Sequence, residues 1–89
     1  MKAVLFYETG GTPAAAFGAA FPRHKVVFEA FAARGEVLGI GTFDGGRGGS
    51  MAIFRTRASA EAFVKEDPFV LEGLVASFAI KDWNDTMLG

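Results

Sequence analysis

Eighty-nine residues, 51 % of them hydrophobic, with no cysteine, one histidine and a net charge of −1, describe a single domain spanning 1–89. Disulfides, thiolate zinc sites and a multi-histidine metal centre within one chain are excluded. Acids and bases are mixed along the chain and offer no footprint for nucleic acid or an anionic membrane. A chain this short buries only about 60–65 % of its unfolded surface, so a partner surface is the remaining route to a sufficient core.

Ala3 to Tyr7 is an apolar, strand-length run, shorter than a signal peptide's and without a small-residue cleavage site directly after it. No apolar run approaches the ~18 residues of a membrane span, so a soluble, cytoplasmic protein is expected. Gly10-Gly11-Thr12-Pro13 breaks the first strand. Ala14 to Ala20 fits either a loose helical turn or an ordered loop. From Pro22 to Arg34 the spacing predicts a helix, with His24, Val27, Phe28 and Phe31 on one stripe. Pro22 suits its first turn, and Gly35 suits the left-handed residue past its end.

Val37 to Phe43 and Ser50 to Thr56 read as two strands joined by the hairpin Asp44-Gly45-Gly46-Arg47-Gly48-Gly49. A short helix over Ala58 to Glu66 follows, with Thr56 or Ser59 as N-cap. It ends at Asp67, where Pro68 disfavours helix. Phe69 to Gly73 is one further turn, Val75 to Trp83 the last strand, and Asn84 to Gly89 a frayed tail.

The order β-α-β-β-α-β is the split βαβ arrangement of ferredoxin-like α+β domains with a four-stranded antiparallel sheet. Two helices cover one face of such a sheet, so a monomer needs the other face polar. Alternation instead sets Val4 and Phe6 against Ala3, Leu5 and Tyr7. It also sets Met51 and Ile53 against Ala52 and Phe54, and Val75 and Ala79 against Ala76, Phe78 and Ile80. A homodimer with two sheets face to face is expected. A monomer whose Ala-rich segment folds over the open face is the alternative.

Two residues stand out for chemistry. His24, placed by this reading in the first turn of a helix and facing the sheet, is a candidate proton acceptor; a neutral ring is favoured there by burial and by the helix terminus. The competing reading is a buried histidine that only satisfies a carbonyl. Asp67, followed by Pro68, suits an N-cap and N1 pair. Its functional reading is a carboxylate, oriented by backbone amides, that fixes an imidazole and counters the helix terminus. The glycines around Arg47 lie between strands with no helix after them, which is the wrong context for a nucleotide loop. The hairpin is read as a flexible tip with Arg47 solvated, within reach of an acidic ligand group. The ten phenylalanines are read as packing.

Phe21-Pro22-Arg23-His24, then Ala32-Ala33-Arg34-Gly35-Glu36, Val37-Leu38, Ile40-Gly41 and Phe43 make up a pattern. It continues through Glu66-Asp67-Pro68-Phe69-Val70 and ends at Ile80-Lys81-Asp82-Trp83. In this order, over almost the whole chain, it resembles the YciI-like (YCII-related) family of the dimeric α+β barrel superfamily. The resemblance implies a ferredoxin-like fold, a homodimer and a pocket containing a His24–Asp67 pair. Enzymatic members of the wider superfamily include a dehydrochlorinase-type lyase, muconolactone isomerase-like proteins and cofactor-free monooxygenases. The polyglycine hairpin departs from the family pattern.

The expected activity is proton transfer by His24, oriented by Asp67, on a compact cyclic or aromatic molecule. Elimination or isomerisation beside a carbonyl needs the least machinery, and neither a metal nor an organic cofactor is required. The alternatives are a metabolite-binding module, a structural dimer, and haem ligation through His24.

Overall fold

The computed structural model describes residues 1–87. Its elements are β1 (Lys2–Glu8), α1 (Ala14–Ala33), β2 (Val37–Thr42), β3 (Ser50–Phe54), α2 (Arg57–Val64), α3 (Pro68–Leu71) and β4 (Ser77–Trp83), with a 3-10 turn at Asp44–Gly46. All strand pairs are antiparallel, in the order β2-β3-β1-β4. This is the expected ferredoxin-like α+β architecture.

The core lies on one side of the sheet. Ala3, Leu5 and Tyr7 from β1 and Ala52 and Phe54 from β3 pack against Phe31 of α1 and Ala60, Phe63 and Val64 of α2. Register pairs Leu5 with Ala52 and Val4 with Ile53, so the other side presents Val4, Phe6, Met51 and Ile53. A bulge at Leu38 shifts β2 by one residue between Val37 and Gly39. Without it, Val37 and Ile40 would point to opposite faces; with it, both meet the inner face.

The first helix is longer than its hydrophobic pattern predicts. It begins at Ala14, after an extended Pro13, and carries Pro22 inside it. Alanine's high helix propensity carries the segment from Ala14 to Ala20. Pro22 removes only the N–H that would bond the Gly18 carbonyl, one bond of a 20-residue helix. His24 therefore sits mid-helix rather than in a first turn, and the helix-terminus argument for its charge state does not apply. The helix ends as expected at Gly35 (φ +75). Glu36 N–H bonds Phe31 O at 3.0 Å and Gly35 N–H bonds Ala32 O at 2.9 Å, a Schellman closure.

Two further expectations are corrected. Val75 precedes β4 and packs against the core, so it does not belong to the outer face. The Ala-rich segment is the first half of α1, on the inner side of the sheet beside Tyr7, and leaves the outer face uncovered in the single chain. The tail expected to fray lies partly outside the described residues. Within them, Lys2 pairs with Asp85 and Asn84 accepts from Thr86. No described helix is long and apolar enough to cross a membrane.

Candidate active site

Asp67 is placed by backbone bonds on both sides. Its N–H closes the end of α2 onto Phe63 O (2.9 Å), and its carbonyl accepts from Val70 and Leu71 (2.9 and 3.0 Å) as α3 begins. Pro68 occupies the first turn, and Asp67 Oδ1 accepts from Phe69 N–H at 3.1 Å. This is the cap expected of an Asp-Pro pair. The same oxygen also meets His24 Nδ1 at 2.7 Å. The capping and imidazole-fixing readings thus describe one side chain in two simultaneous roles.

The residue that the sequence analysis missed is Tyr7. Its hydroxyl donates to Asp67 Oδ2 at 2.6 Å. Asp67 is fully buried, and an isolated buried carboxylate is costly. Here both oxygens are occupied, and three donors converge on a group that, ionised, only accepts. Burial first, then the adjacent Asp67 charge and the bond to it, raise the Tyr7 phenol above its ordinary range, so Tyr7 remains a donor. Two signals in the sequence pointed to Tyr7. It is the chain's one tyrosine, and alternation places it on the inner face, where a buried phenol needs an acceptor.

The bond from Nδ1 fixes the histidine. With Nδ1–H donated to a carboxylate, the neutral ring keeps its lone pair on Nε2. The ring is held flat against Phe69, with centroids 3.9 Å apart and planes 8° from parallel, and Phe28 meets it edge-on at 5.1 Å. Nε2 has no protein partner among the described residues, and no buried side-chain nitrogen or oxygen there is left unpaired. Nε2 is therefore the polar atom that His24 presents to the adjoining cavity.

That cavity has a volume of about 690 Å³, within the ~300–1,000 Å³ of small-molecule sites. The first half of α1, the inner face of the sheet and the β2–β3 hairpin enclose it. Phe17, Phe21, Phe28 and Phe69 give it aromatic walls, so some of the phenylalanines read as packing also line the site. The hairpin is not merely a surface tip, since Gly45, Gly46, Arg47 and Gly49 overhang the cavity. Among the described residues, no three His, Cys, Asp or Glu side chains gather as a metal site would need.

Fold and site define the class: a ferredoxin-like α+β domain with a four-stranded antiparallel sheet and a His–Asp–Tyr cluster beside an apolar cavity. The particular likeness is to 5-chloro-2-hydroxyhydroquinone dehydrochlorinase (TftG) from Burkholderia phenoliruptrix AC1100, solved in complex with 2,5-dihydroxybenzoquinone. The TM-score is 0.73 at 21 % sequence identity, covering 94 % of each chain. At that identity the likeness is one of fold. No model of a known family and no curated protein sequence matches the chain.

Proposed function

We propose that this chain is a YciI-like homodimeric protein in which His24 Nε2 moves a proton on a compact cyclic or aromatic molecule held in the cavity. The observation that carries the reading is the split in the imidazole's two nitrogens: Nδ1 is tied to buried Asp67, while Nε2 is free at the cavity. Asp67 orients the ring and stabilises the imidazolium that forms. A proton on carbon beside a carbonyl passes to Nε2, and its bonding pair becomes the C=C of an enolate. Expulsion of a leaving group from the adjacent carbon completes an elimination; reprotonation at another carbon completes an isomerisation. Both use only groups that this chain supplies. The fold neighbour, a dehydrochlorinase solved with a hydroxyquinone, supports a ring substrate of that type.

The test compares the wild type with His24→Gln and Asp67→Asn on 5-chloro-2-hydroxyhydroquinone and a panel of cyclic ketones and hydroxyquinones. Chloride release and exchange of carbon-bound hydrogen in D2O are followed. His24→Gln is expected to lower the rate about 10²- to 10⁴-fold with ligand binding retained, and Asp67→Asn to lower it less. Turnover that survives His24→Gln removes His24 as the base.

We also infer that the uncovered outer face of the sheet meets the same face of a second copy. Val4, Phe6, Met51, Ile53 and Ala79 make this face largely apolar, as buried sheet faces are, with Lys81 opposite Val4 and its ammonium 5.6 Å from the Phe6 ring. Gly39 and Gly41 extend the face onto β2 without side chains.

A further inference from the structure

Among the described residues that line the cavity, Arg47 alone carries a formal charge. It is also the one arginine that, among the described residues, makes no side-chain hydrogen bond or ion pair. Arg23 forks onto Glu72, Arg34 pairs with Glu36, Arg55 donates to Gly35 O, and Arg57 engages Asp82 and Ile80 O. Arg47 is carried by a defined turn rather than by slack chain. Gly46 N–H and Gly48 N–H both bond Phe43 O (2.8 and 3.1 Å), and Phe43 N–H bonds Gly49 O at 2.9 Å. At the base of the same hairpin, Thr42 and Ser50 face each other across β2 and β3 and also line the cavity. The hairpin end of the site thus offers a guanidinium and two hydroxyls, while the aromatic walls and His24 belong to α1 and α3.

We infer that the cavity selects an organic anion, a ring compound bearing a carboxylate or an ionised enol, and that Arg47 is the group that binds its charge. This deepens the proposed function and rests on the cavity being a ligand site. A planar five-donor guanidinium matches a carboxylate or the paired oxygens of a hydroxyquinone. A substrate that is already anionic gains further charge when His24 removes a proton, and Arg47 offsets that charge at the opposite end of the cavity.

The experiment uses probes matched in shape and differing in charge: benzoate against benzamide, and 2,5-dihydroxybenzoquinone against 2,5-dimethoxybenzoquinone. Binding is read from the amide resonances of Tyr7 and Phe69. The wild type is expected to prefer each anion about 10- to 100-fold, less so at high salt. Arg47→Gln should erase the preference by weakening the anions alone, and Arg47→Lys should keep part of it. Both variants should melt with the wild type, because Arg47 is exposed. An Arg47→Gln protein that binds all four probes as the wild type does overturns the Arg47 assignment and leaves the cavity reading standing. If no probe shifts either resonance in the wild type, the cavity reading falls and the assignment falls with it.

Discussion

Asp67 is held by α1, β1 and its own helix start through His24, Tyr7 and Phe69 N–H. The first two of these links can be tested one side chain at a time. Tyr7 is the only tyrosine, so alkaline absorbance reports it alone. Its phenol is raised in the folded chain, so the sign of its effect on stability is fixed. Below about pH 10 the phenol is protonated in both states, and its contribution is complete. Above that the unfolded chain loses the proton first, and stability falls by about 1.4 kcal/mol per pH unit from this group. The phenolate band is therefore expected only in step with loss of the far-UV circular dichroism. A band with a midpoint near pH 10 and intact dichroism would show that the Asp67 bond is absent. Tyr7→Phe should cost about 1.5–3 kcal/mol at neutral pH and remove that share of the alkaline decline. Asp67 was legible because the Asp-Pro pair announces a cap, and His24 because it shares a stripe with Phe28 and Phe31. Tyr7 was not, since inward alternation says that a phenol is buried and not which acceptor it finds sixty residues away.

At the scale of elements, the hairpin and the first helix depart furthest from what the local sequence shows. Pro22 is an ordinary helix-start signal, and only the Ala-rich propensity before it makes it an interior residue. The hairpin's glycines differ in what they do. Gly49 (φ +82) approaches β1 so closely that a Cβ would lie 2.2 Å from Tyr7 O, whereas Gly46 (φ +96) faces open space. Gly46→Ala is thus expected to cost only its left-handed backbone, about 1 kcal/mol. Gly49→Ala must also push β3 away from β1 at Tyr7 and is expected to lose more than about 2 kcal/mol. Urea unfolding of the two variants checks the order. Equal losses would mean that the hairpin does not press on Tyr7. The bulge at Leu38 was equally hidden, because a register slip in β2 leaves no mark on alternation in a strand that is one-third glycine.

For the whole molecule, the feature most open to reading in the sequence was the apolar character of both sheet faces, since period-two alternation needs no knowledge of the long-range contacts. It set Val4 and Phe6 against Leu5 and Tyr7, and the observed register agrees. It failed at Val75, where the strand had not yet begun. The helices pack on the inner face and, among the described residues, leave the outer face uncovered. A copy of the same face is the simplest self-complementary cover. Light scattering behind size exclusion at micromolar concentration is expected to give about twice the 9.4 kDa chain mass. Ala79 makes the sharper test, because it is exposed in the single chain yet centred opposite Phe6 on the outer face. A carboxylate there stays solvated in a monomer but is desolvated in a sheet-to-sheet interface, at a cost that Lys81 on the same face offsets only in part. Ala79→Glu should therefore dissociate the dimer. It should lower the melting temperature in proportion to what the interface contributes and make melting independent of protein concentration. Phe6→Glu should act in the same direction with a larger loss, since Phe6 is half-buried already. A wild-type chain that elutes as a folded monomer, and melts like Ala79→Glu, would remove the dimer.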